Sequence, residues 1–193
     1  MGRGAASIGL AIVLLTASTG VVGAQSPRPL TAHDAVRAYE AAQTSRSAVR
    51  DQLDLCAADA DKLTQIFVNL RPQGAAASDE WREWGEVYGQ IGRELAGCLR
   101  AYAKQRSLHL RDLALMRERL PLMKQPKRLV LSPKQVAEIN AYAAGLEPEL
   151  AGYERRAQTM AGDAERASAK VVALLADAGV RGLDIPMRFA EIH

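Results

Sequence analysis

The chain has 193 residues, with 25 Lys and Arg against 22 Asp and Glu, a formal net charge of +3. That length fits one domain with a real hydrophobic core. A charge balance this close to neutral is not the footprint of a nucleic-acid binder, so that class of partner is set aside.

The first 24 residues read as an export signal. A short basic start carries Arg3, residues 8–15 are apolar, and Val22 and Ala24 fit the small-residue pattern before a cleavage point, leaving Gln25 as the new N-terminus. The apolar run is too short to span a bilayer, and its flanks suit a secretory signal. The alternative is an uncleaved N-terminal anchor. Removing the first 24 of 193 residues leaves 169, with 24 basic and 22 acidic side chains. No later stretch has enough consecutive apolar residues to cross a membrane. Export makes a disulfide chemically permissible.

Residues 25–30 look like a tether. Thr31 is a good N-cap, with Asp34 three residues on favouring a helix start. Two seven-residue ladders then run together. One holds Ala35, Ala42, Val49, Cys56, Leu63 and Leu70; the other holds Ala32, Tyr39, Arg46, Leu53, Ala60 and Phe67. Their offset puts both on one helical face. Arg46 is the misfit, expected to snorkel at the edge of the stripe. Pro72 restrains Arg71 and ends the helix.

Residues 71–78 form a loop, with Ser78 expected to cap the next helix ahead of Asp79 and Glu80. The second stripe reads Trp84, Tyr88, Ile91, Leu95, Cys98 and Tyr102. It slips by one position and continues as Arg106, His109, Leu113, Met116 and Leu120, a stutter-like change of phase. Pro121 is expected to stop it.

Cys56 and Cys98 are the two cysteines of the chain. In an antiparallel hairpin turning at residues 71–78 they fall at similar heights, so they are expected to form one disulfide. Helix axes usually lie ~8–10 Å apart, whereas a disulfide wants Cα atoms within ~7 Å. Ala57, Ala60, Gly97 and Ala101 are small enough to permit the close approach. The alternative is free or intermolecular thiols; a redox pair would want C-x-x-C spacing, which is absent.

Residues 121–132 read as a basic connector containing Lys124, Lys127 and Arg128. Ser132 as N-cap, Pro133 at N1 and Gln135 at N3 make a capping box for a third helix. Its ladders are Val136, Ala143, Leu150, Ala157, Ala164, Val171 and Ala178, and Ile139, Leu146, Tyr153, Met160, Ala167 and Leu174. Pro148 interrupts it. The apolar phase survives, which favours a kink over a chain reversal. Gly179 ends the helix as a C′ residue. In residues 180–193, Val180, Leu183, Ile185, Met187, Phe189 and Ile192 alternate loosely with charges. This tail either folds back on the bundle or is a docking peptide for a partner.

Little here carries chemistry. Of three histidines, His33 and His193 lie at chain or helix ends, and His109 lies on the second stripe. No H-E-x-x-H, C-x-x-C, phosphate loop or haem site occurs. Glu147/Glu149 and Asp59/Asp61 are two apart and point to different sides of a helix. No catalytic residue, metal or cofactor is expected. Charge is uneven: from Arg100 to Lys134 ten basic residues stand against two acids, and from Asp51 to Glu94 nine acids stand against four bases. The expected rod is therefore acidic at the first-loop end and basic at the connector end. Lys104, Arg111, Arg117, Arg119, Lys124, Lys127, Arg128 and Lys134 are its candidate contacts to an anionic surface.

Leu131-Ser132-Pro133-Lys134-Gln135, followed by Ile139, resembles the L-T-x-x-Q motif of the small helical periplasmic Spy-type stress chaperones. The likeness covers five residues. The family pattern carries two such motifs with threonine; this chain has one, with serine, and a capping box has the same form. The resemblance implies a holdase for unfolded clients.

The expected fold is all-α: an elongated antiparallel bundle of three long helices, the third kinked or split near Pro148, with a disulfide between helices 1 and 2. Residues 1–24 are the signal, 25–179 the bundle and 180–193 the tail. The expected role is non-enzymatic, an envelope or periplasmic scaffold, adaptor or secretion-apparatus subunit. Its partner would be another envelope protein or an anionic membrane surface, and an oligomer is possible. The alternatives are the Spy-like holdase and a helical enzyme or small-ligand carrier with a cleft near Tyr102, Arg106 and His109.

Overall fold

The computed structural model describes residues 31–74, 76–123 and 132–189, with the backbone alone for Ala32, Leu122 and Met123. The expected signal, the tether and the connector residues Lys124, Lys127 and Arg128 lie outside the described residues. So does His193.

Among the described residues there are three helices: α1 (Ala32–Asn69), α2 (Ser78–Met123) and α3 (Pro133–Asp177). At 1.5 Å per residue they are roughly 57–69 Å long. The Thr31 hydroxyl accepts from the Asp34 backbone N–H and the Asp34 carboxylate accepts from the Thr31 N–H, closing a capping box. Ser132 and Gln135 do the same for α3, with Pro133 at its first position. Capping therefore accounts for the residues of the chaperone-like motif that are described. Two expected boundaries move. Ser78 is inside α2 rather than its cap: the Ala77 carbonyl accepts from Glu80 and Trp81. Pro121 does not stop α2, which runs on to Met123. Proline's φ is already helical and only one hydrogen bond is lost, while Leu120 packs beside Ala35 and Ile139.

Facing residues fix the topology. On α1 and α2 the numbers run oppositely: Ile66 meets Trp84, Cys56 meets Cys98 and Ser45 meets His109. On α1 and α3 they rise together, Ala42 with Tyr142, Arg46 with Glu149 and Asp54 with Arg156. The chain therefore goes up, down and up. α3 is continuous through Pro148, so the chain does not reverse there.

The core follows the apolar ladders, with one exception. Leu70, last rung of the first, is 64% exposed. It is the C-cap of α1, beyond the last helical turn. The largest cluster fills the first-loop half with Leu53, Leu63, Trp84, Tyr88, Leu95 and Leu99 from the hairpin and Ala157, Ala164 and Val171 from α3. Towards the connector the core thins to Ala38, Ala42, Leu113, Met116, Leu146 and Leu150.

The tail joins the large cluster. Gly179, at φ 76°, lets the chain turn off α3. The Val180 N–H then donates back to the Leu175 carbonyl at 2.8 Å, a Schellman ending. Val180, Ile185 and Phe189 are buried. Leu183, Ile185 and Phe189 are received by a face of α2 made of Gly85, Gly89 and Gly92. A Cβ at Gly89 would stand 2.7 Å from the Asp184 carbonyl oxygen, and one at Gly92 would stand 3.2 Å from Pro186. Arg93 donates to the Asp184 carbonyl at 2.8 Å, and the Phe189 N–H donates to Glu165 at 3.2 Å.

Candidate functional site

Cys56 and Cys98 are joined, with Cα atoms 5.4 Å apart. That is well inside the usual spacing of helix axes. The staple divides the rod. On its loop side, aromatic rings are stacked through the hairpin: Trp84 lies 5.6 Å from Trp81, 5.9 Å from Tyr88 and 6.5 Å from Phe67. The Trp84 indole N–H donates to the Ile66 carbonyl at 3.1 Å, a second bond to an acceptor that also receives the Leu70 N–H.

On the connector side lies a polar layer. Arg46 pairs with Glu149 at 2.6 Å and its guanidinium sits 5.2 Å from the Tyr142 ring centre. It is thus held across to α3 rather than snorkelling freely. Tyr153 donates to the same Glu149 carboxylate. Arg106 pairs with Glu154 at 2.8 Å. His109 is fully buried, its Nδ1 2.9 Å from the Ser45 hydroxyl. The His109 Nε2 and the Tyr102 hydroxyl are buried without a hydrogen-bond partner among the described residues.

These surroundings shift the titrations. Burial pulls the His109 imidazole below its ordinary value, with Arg46 acting the same way against Asp112 and Glu149. Burial pushes the Glu149 carboxyl up, and hydrogen bonds from Tyr153 and Arg46 outweigh it, leaving the group below its ordinary value. Burial raises the Tyr102 hydroxyl.

The expected cleft near Tyr102, Arg106 and His109 takes a different form. Those residues belong to the bundle interior, and Tyr102 and His109 have no exposed surface. The groove beside them, about 330 Å³, is lined instead by Gln43, Arg46, Ser47, Arg50, Tyr142 and Tyr153. Opposite charges inside the layer are matched, so it acts as a polar spacer between two apolar clusters. No group of three His, Cys, Asp or Glu that could hold a metal occurs among the described residues.

Of the basic candidates among the described residues, most have partners within the chain. Arg117 pairs with Glu147 at 2.6 Å, Arg111 with Asp112 at 3.3 Å and Lys134 with Glu138 at 4.0 Å. Arg119 donates to the Asp34 carbonyl. Lys104 is exposed. Glu147 and Glu149 do point apart, to Arg117 on α2 and Arg46 on α1.

The acidic end is different. Asp79, Glu80, Glu83 and Glu86 are exposed in the first turns of α2. None of the four forms an ion pair among the described residues. Beside them the chain exposes Leu70 and Val87, the latter at 42%. Two shallow grooves share Ile66 and Leu70. One, about 280 Å³, is also lined by Pro72, Glu80, Glu83, Trp84 and Val87. The other, about 290 Å³, is also lined by Lys62, Gln65, Asn69 and Ile91. The ladder reading missed this surface because it counted Leu70 as core.

No family model matches the chain, and neither a curated protein nor a solved structure matches it. Fold and site define its class: a disulfide-stapled three-helix bundle with a polar layer and an apolar, acidic end. A disulfide points to an oxidising compartment, and no helix among the described residues is long and apolar enough to cross a membrane.

Proposed function

We propose that this protein is an exported, non-enzymatic adaptor of the cell envelope that binds a protein partner through its first-loop end. The observation that supports this is the exposure of Leu70 and Val87 in one groove at that end, next to the stapled, aromatic-rich part of the core. Exposed apolar side chains grouped within a charged rim mark interaction sites. Residues 1–24 act as a cleaved signal, so the mature chain starts at Gln25. The basic side of the rod beyond the staple, with Lys104 exposed on α2 and the connector lysines further along the chain, faces an anionic surface in this reading.

The test is purification of the oxidised protein from the exported fraction. Intact mass should give a chain beginning at Gln25 with no free thiol, and one partner should co-purify in fixed stoichiometry. A chain that retains its first 24 residues, or that is recovered alone at every ionic strength, would contradict the reading. Suppressing aggregation of many unrelated unfolded clients without a fixed partner would favour the holdase alternative instead.

A further inference from the structure

The apolar end does not specify its occupant by shape alone; its charge does. Leu70 stands as a ridge between two grooves, with Ile66 at the floor of both and Trp84 and Val87 on the α2 side. The carboxylates over the groove on the α2 side are Glu80 and Glu83, with Asp79 and Glu86 one turn before and after Glu83. Arg82 is the single base among them. A second copy docked by two-fold symmetry would set these carboxylates against themselves, which is unfavourable. An acidic or neutral segment would bury apolar surface without answering them.

We infer that this end docks a cationic amphipathic helix of a partner protein, its apolar side chains seated on either side of Leu70 and its lysines or arginines over Glu80 and Glu83. This rests on the adaptor reading and names the partner's chemistry. A helix suits the site because grooves beside a single ridge take side chains projecting at i and i+3 or i+4. Rim charges of this kind set association rate and selectivity more than total affinity, so binding weakens as salt is raised.

The chain supplies its own reporter. Its two tryptophans are Trp81 and Trp84, and Trp84 lines the groove beneath Glu80 and Glu83. The probe is a synthetic, tryptophan-free peptide of leucine and lysine at helical spacing, about five turns long. Its twin carries glutamate for lysine. Added to the oxidised full chain, the lysine peptide should change tryptophan emission saturably, and the glutamate twin should not. Leu70→Asp should weaken binding about tenfold or more. Glu80→Gln with Glu83→Gln should remove most of the salt dependence, and Lys104→Gln should leave binding unchanged. These positions are exposed, and circular dichroism of each variant confirms that the bundle is intact.

Equal binding of the two peptides, or full binding by Leu70→Asp, overturns the inference. So does a dimer of the free protein that Leu70→Asp dissolves, because a second copy would then be the occupant. Should the peptide fail while the native partner still co-purifies with wild type and with Leu70→Asp, the groove assignment falls and the adaptor reading stands. Should the peptide bind while no native partner is found, the groove assignment stands and the adaptor reading falls.

Discussion

Above the staple, Trp84, Tyr88 and Leu95 fill the space between the helices, and the tail lies over the glycine face of α2. Below it, Ala38, Ala42 and Leu146 make a thin apolar core. There the helices are held across Arg46–Glu149, Arg106–Glu154 and Arg117–Glu147. The same three helices thus run through two regimes. The loop half is fixed by a covalent bond and by burial, which depend weakly on pH and salt. The connector half relies on matched charges and a buried imidazole, which respond to both. A bundle built this way has one end held rigid and another that responds to its surroundings.

The largest expected effect comes from removing the staple. The crosslink joins residues 42 apart, and in the chain-entropy model its loss costs roughly 4 kcal/mol. Cys56→Ser with Cys98→Ser should lower Tm by about 10 °C, read by thermal circular dichroism. An unchanged Tm would break the contrast between the halves.

The next effect sits on the tail. Valine at Gly89 would drive its side chain into the Asp184 carbonyl, which is backbone and cannot swing aside. Gly89→Val should cost about 2 kcal/mol and expose residues 180–189 to proteolysis. A variant as stable and as protease-resistant as wild type would show that the tail is not held there.

Acid should act on the other half. His109 is held below its ordinary value of 6.5, so the unfolded chain binds the proton first. The stability it contributes is whole above pH 6.5 and is lost as pH falls towards its folded value. Glu149, held below 4.5, gives a second loss at lower pH. His109→Leu should flatten the first loss and leave the second, as read by urea unfolding at a series of pH values. A slope unchanged by the substitution would locate the acid response elsewhere.

The smallest effect sharpens the glycine argument. At Gly152 an added Cβ meets nothing within 4 Å, so Gly152→Ala should stabilise the protein by up to about 1 kcal/mol. Opposite signs at Gly89 and Gly152 would separate a glycine required by packing from one that merely weakens its helix.

Much of this architecture was legible in the order of residues. Period alone placed Val49, Leu53, Tyr88, Leu95 and Val171 in the core, and two small-residue stretches let Cys56 reach Cys98. The caps at Thr31 and Ser132 are local chemistry and were readable as such. What escaped was set at long range. Arg46 looked like a misfit because its partner Glu149 lies 103 residues away. The tail-receiving face of Gly85, Gly89 and Gly92 drew no notice, although their spacing with an apolar tail downstream was the available signal for a groove. The basic count overstated the free charge, since Arg117 and Arg119 are engaged by residues of other helices. Leu70 fitted its ladder, but a ladder does not show where the partner surface ends.

Hydrogen exchange followed by mass spectrometry, on oxidised and reduced protein, tests the contrast between the halves most directly. Residues 53–69 and 78–102 should exchange slowest and be the segments that reduction accelerates. Residues 32–42 and 113–123 should exchange faster and change little. Uniform protection along α1 and α2, or equal acceleration of both halves on reduction, would contradict a rod with one locked end.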